Sequence, residues 1–129
     1  MNNNVDHPKH YQLSIDLEVL DVIDLVLSNL EIQPNEYFYL GNVIKYLFRA
    51  EKKNGLEDYK KALYYLEKIG YTSICIRYTE TEKIIIYKIL ETFENKKIRN
   101  VVDSVIFLHL HSAQKSLETY IEEQEKQND

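Results

Sequence analysis

Four side chains in the second quarter of the chain have the types and spacing to hold an anion. Asn42, Lys45, Arg49 and Lys52 recur at intervals of three, four and three residues. On a helix that spacing puts them along one face. A guanidinium grips a phosphate through two parallel hydrogen bonds, and an ammonium adds a point charge. Gly41 stands directly before the row, and a glycine inside a helix often marks the close approach of a backbone or a ligand. The other reading is a solvated basic face. Asp58, Lys61 and Tyr65 repeat the pattern further on and could meet the first row across the turn "KKNG", or form surface ion pairs worth little.

Two more groups could take part. Glu18 and Asp21 are three apart and hence neighbours on a helix, where they could hold Mg²⁺ for a nucleotide or form an exposed acidic face. The stretch "DHPKHY" places His7 and His10 beside Tyr11. H-x-x-H supplies two ligands where zinc needs three or four. The segment therefore reads as a polar flap over the basic row, with a flexible tail as the alternative. His109 and His111, two apart on a helix, point to nearly opposite sides, and His109 is expected in the core. There is no G-x-x-x-x-G-K-[ST], G-x-S-x-G or H-E-x-x-H sequence, so a nucleotide would be held by side chains and helix ends.

The elements that position these groups are helical. The 129 residues make one domain's worth of chain, 44% hydrophobic, with only three glycines and two prolines. Apolar residues recur at helical spacing over about 15–30, 36–53, 57–69, 81–94 and 97–125. The fold expected is all-α: a compact bundle of about five helices with one long C-terminal helix and an extended N-terminal segment. Residues 1–13 form that segment, residues 14–70 a three-helix core, and residues 71–129 a connector plus two helices that pack on the core or form a dimer interface. "YTSICIRYT" is an extended connector or a strand that pairs with a second subunit.

Charge narrows the partners. The net charge of −5 is uneven: residues 1–40 carry one Lys and seven acids, whereas residues 41–69 carry seven Lys or Arg and four acids. A basic island in an acidic chain suits a small anion better than an extended nucleic-acid backbone, which wants a broad basic face. Cys75 is the single cysteine, so no intrachain disulfide can form, and a reducing cytoplasm fits. No signal-like or membrane-spanning stretch is present in the sequence.

Taken in order, "HPKHY", "LEVLDVID" and "YLGNVIKYLFRAEKKNGLEDYKKALYYLEK" resemble the SaV-like family of small phage proteins. That family is a domain of unknown function and includes a phage nucleotide kinase. The likeness covers residues 5–69 and falls on His7, Pro8, His10, Tyr11, Glu18, Asp21, Gly41, Asn42, Lys45, Tyr46, Arg49, Lys53, Asp58, Lys61, Ala62, Tyr65 and Leu66. It implies a phage origin, the cytoplasm of an infected bacterial host, and phosphoryl transfer to a nucleoside monophosphate without a P-loop. In that case ATP and Mg²⁺ are the cofactors, and Glu18 and Asp21 hold the metal. His7 and His10 serve as proton carriers or phosphate contacts, and Tyr11, Asn42, Lys45, Tyr46, Arg49, Lys53, Lys61 and Tyr65 bind the ligand. The alternative is a non-catalytic phage protein that sequesters a signalling nucleotide or binds a host protein to blunt host defence. A homo-oligomer through the C-terminal helices is expected in either case.

Overall fold

The computed structural model describes residues 18–69 and 76–127. Among these residues six helices follow one another: α1 (Val19–Leu27), α2 (Pro34–Arg49), α3 (Leu56–Ile69), α4 (Glu80–Glu91), α5 (Lys96–Ile106) and α6 (Leu110–Gln127). Helices α2 and α3 pair as one hairpin and α5 and α6 as another. The hairpins join where α3 meets α6 and α2 meets α5, while α1 lies on α2 and α4 on α5. The fold is all-α, and there is no strand among the described residues. Most of the connector "YTSICIRYT" and the whole "DHPKHY" segment lie outside the described residues.

The apolar stripes form one core. Val22 and Val26 of α1, Val43, Ile44 and Leu47 of α2, Leu66 of α3, Ile86 and Ile89 of α4, Ile98 and Val105 of α5, and Leu117 of α6 are all fully buried. Each such aliphatic side chain contributes roughly 1.5–3 kcal/mol by leaving water. Helix starts follow local chemistry. Pro34 occupies the first turn of α2, where its missing N–H costs nothing. Thr79 accepts from Glu82 N at 3.1 Å while Glu82 accepts from Thr79 N at 2.8 Å, a reciprocal cap for α4. Asn95 Oδ1 accepts from the N–H groups of Lys97 and Ile98 and starts α5.

Two of the boundaries that differ from the periodicity have a clear local cause. Helix α2 stops at Arg49, and a turn follows in which Gly55 N donates to Ala50 O at 2.8 Å. Gly55 sits at φ +53°, the left-handed region in which a glycine carries no steric penalty.

The long helix expected over 97–125 is two helices. Leu108 adopts φ +60°, His109 N donates to Ser104 O at 2.7 Å, and Leu108 N donates to Val105 O at 3.0 Å. These are the two bonds of a Schellman helix end. The left-handed position is usually a glycine, and a leucine there costs roughly 1–2 kcal/mol. Because the chain turns back at this point, His109 is exposed, not a core histidine, while its neighbours Leu108 and Leu110 are buried.

Candidate functional site

The α2–α3 hairpin gathers cations around a single ring. Lys45 Nζ lies 5.3 Å from the centroid of Tyr46, Arg49 Cζ 5.6 Å and Lys61 Nζ 5.5 Å. Lys45 and Arg49 come from α2, whereas Lys61 reaches across from α3. Tyr46 also lies parallel to Tyr65 of α3, with centroids 6.1 Å apart and planes 5° from coplanar. A ring quadrupole offsets part of the mutual repulsion of cations held beside it, at about 0.5–1 kcal/mol for each exposed contact.

Beside this cluster an open groove of about 350 Å³ is lined by Tyr46, Glu57, Lys60, Lys61, Tyr64 and Tyr65. Phe38 and Tyr64 at its margins are 60% and 54% exposed, high values for large rings. Phe38, Tyr39, Tyr64 and Tyr65 make a run of ring contacts, with Phe38 to Tyr65 at 5.9 Å and Tyr64 to Tyr65 at 5.3 Å. Cationic groups next to exposed aromatic faces suit a ligand with an anionic part and a flat part.

Asp58 holds Arg49 in place. Its carboxylate is fully buried and its Oδ2 accepts from Arg49 Nε at 3.2 Å and from Asn54 N at 3.3 Å. The guanidinium is pinned through one nitrogen, and its side chain stays 36% exposed. That leaves the outer edge of the fork for a second anion. Asp58 Oδ1 is buried without a hydrogen-bond partner among the described residues. Helix α3 begins at Leu56, so Asp58 also lies in its first turn, where the helix dipole favours negative charge.

The remaining candidates fall elsewhere. Asn42 Nδ2 donates to Phe38 O at 2.9 Å, one turn earlier on its own helix. Lys52 and Lys53 are exposed in the turn after α2. Gly41 faces α1: a Cβ built there would stand 3.8 Å from Leu27 Cδ1 and 3.9 Å from Ile23 Cγ2, ordinary packing distances. Glu18 and Asp21 form the capping box of α1, in which Glu18 N donates to Asp21 Oδ2 at 3.0 Å. No group of three or more His, Cys, Asp or Glu side chains among the described residues could hold a metal ion. His7, His10 and Tyr11 lie outside the described residues.

The sequence reading overlooked Phe38, Tyr39, Lys60, Tyr64 and Lys68. A signal was available in the i, i+4, i+8 spacing of Lys60, Tyr64 and Lys68, which places them on one stripe of α3. Lys68 Nζ does lie 5.2 Å from the Tyr64 ring.

Residues 5–67 match the family model described as a protein of unknown function (DUF3310). The segment takes in α1, α2 and nearly all of α3, with Lys45, Arg49, Asp58, Lys61 and Tyr65. The Gene 1.7 protein of Enterobacteria phage T3 is 35% identical over 71 residues, a stretch covering 52% of this chain and 42% of that protein. The match thus spans less than half the length of that relative. No solved structure matches the chain. Over about half its length the chain is similar to a phage protein, and its first three helices match a domain of unknown function that includes the cationic cluster.

Proposed function

We propose that this is a phage accessory protein that binds a nucleotide or another phosphate-bearing small molecule on the α2–α3 face. One observation carries the reading: Lys45, Arg49 and Lys61 meet at the Tyr46 ring, beside a groove walled by Tyr64 and Tyr65. In this reading the phosphates lie against Lys45, Lys61 and the outer edge of Arg49. The flat part stacks on an exposed tyrosine, a contact that ranges over about 1–3 kcal/mol per base in nucleic-acid complexes.

Whether phosphate is transferred or only held divides two versions. A nucleoside monophosphate kinase, as the SaV-like resemblance implies, would use ATP and Mg²⁺. Glu18 and Asp21 are occupied in capping α1, which favours the non-catalytic version: sequestration of a signalling nucleotide that blunts host defence. Action in the host cytoplasm belongs to the same proposal, as does a homo-oligomer through the C-terminal half. Ile84 and Tyr87 of α4 are exposed apolar groups suited to self-association or to a host protein.

The test is calorimetric titration with nucleoside mono-, di- and triphosphates. Saturable binding is expected, lost in Arg49→Ala, weakened in Lys61→Ala and kept in Lys115→Ala, which lies far along the chain on α6. At 100 times its dissociation constant such a ligand adds about 2.7 kcal/mol to stability, visible as a rise in melting temperature. Equal behaviour of the Arg49 and Lys115 variants removes the site. Incubation with ATP, Mg²⁺ and each nucleoside monophosphate, read as diphosphate formed, separates the two versions.

A further inference from the structure

A second concavity, with a different lining, opens beside the hairpin turn. It holds about 500 Å³ between the α2–α3 turn, α3, the α4–α5 connection and α6. Six side chains give it its chemistry: Glu51, Tyr59, Glu94, Asn95, Tyr120 and Gln124. Among the described residues no lysine or arginine lines it.

Tyr59 is only 5% exposed, and its ring meets Tyr120 edge to face at 5.3 Å and 80°. Its hydroxyl has no hydrogen-bond partner among the described residues. The Tyr120 hydroxyl accepts from Asn95 Nδ2 at 3.2 Å and keeps its own proton to donate. Burial raises both phenols above their ordinary range, and the Glu51 carboxylate raises them further, so both stay protonated near neutral pH. Among the described residues neither Glu51 nor Glu94 has an ion-pair or hydrogen-bond partner for its side chain. Lys97, whose charge acts on the Tyr120 phenol, pairs with Glu123 at 2.9 Å.

The geometry points to a binding site for an organic cation of the alkyl di- or polyamine class, held between Glu51 and Glu94 over the Tyr59 and Tyr120 rings. Ammonium groups donate to the two carboxylates, the Tyr59 oxygen accepts a further hydrogen bond, and the ring faces attract the charge. A bare divalent ion fits less well. It wants six or more close oxygen ligands, and no cluster of three candidate ligands exists here among the described residues. The volume also lies in the range of small-molecule sites and exceeds the needs of a single ion.

The experiment is calorimetric titration of the full chain with spermidine at about 0.15 M salt, where diffuse surface attraction is screened. Saturable one-to-one binding is expected, weakened about tenfold by Glu51→Gln and by Glu94→Gln. Tyr59→Phe, which leaves the ring and the net charge alone, weakens it about threefold. Glu67→Gln, which removes the same charge from an exposed position on α3, leaves it unchanged. No saturable binding, equal weakening by Glu67→Gln, or displacement of spermidine by Mg²⁺ at equal charge overturns the proposal.

Discussion

Arg49 and Asp58 show how one residue pair serves both the fold and the candidate site. A buried carboxylate is tolerable when charge and hydrogen bonds surround it, and costly when they are withdrawn. Here Arg49 Nε and the Asn54 N–H share Oδ2, while Oδ1 has no partner among the described residues. Arg49→Ala should therefore destabilise by about 1–3 kcal/mol, less than for a wholly buried pair because the guanidinium is partly in water. Asp58→Asn in the Arg49→Ala background should restore part of the loss by removing the stranded charge. Urea midpoints of the two single variants and the double variant give the coupling directly. The functional candidates in this pair were legible as residue types at helical spacing. That Asp58 is the partner of Arg49 was not, because a surface pair on α3 satisfied the spacing equally well.

At the scale of elements, the break at Phe107–His109 is the instructive case. Nothing in "VIFLHL" is a glycine, proline or asparagine, and the apolar period runs through 109 without a fault. Local propensity favours a continuous helix. The turn instead lets the apolar faces of α5 and α6 bury against each other, at the cost of one left-handed leucine. His109→Ala should accordingly change stability by less than about 0.5 kcal/mol, as exposed substitutions do. Leu117→Ala, at a fully buried position on α6, should cost about 2–5 kcal/mol. Chemical denaturation of the two variants checks this: a straight helix with His109 inside would make both costly.

For the whole molecule, buried phenols tie stability to alkaline pH. Burial first, then the Tyr120, Glu51 and Asp58 charges, raises Tyr59, while burial and Glu82 raise Tyr78. Unfolding returns each to the ordinary value of about 10. The native state then binds more protons than the unfolded state above that pH, so this stability is intact below about pH 10 and declines as pH rises beyond it. Tyr59→Phe should flatten the fall without losing a hydrogen bond within the described protein. Urea midpoints of wild type and variant compared between about pH 8 and pH 11 isolate the Tyr59 share, since the other titrating groups are common to both.

An all-α chain, the inward faces of its first four helices and a basic island on the second and third are legible in the order of the amino acids alone. These follow from periods of three and four residues and from the placing of charge, both local properties of the chain. Packing in three dimensions is what carries Lys61 to the Tyr46 ring, brings Glu51 into one concavity with two phenols and folds the last periodic stretch back on itself. Those outcomes depend on which helices pair, and pairing is settled by apolar area buried between segments distant in sequence, a quantity no local window contains.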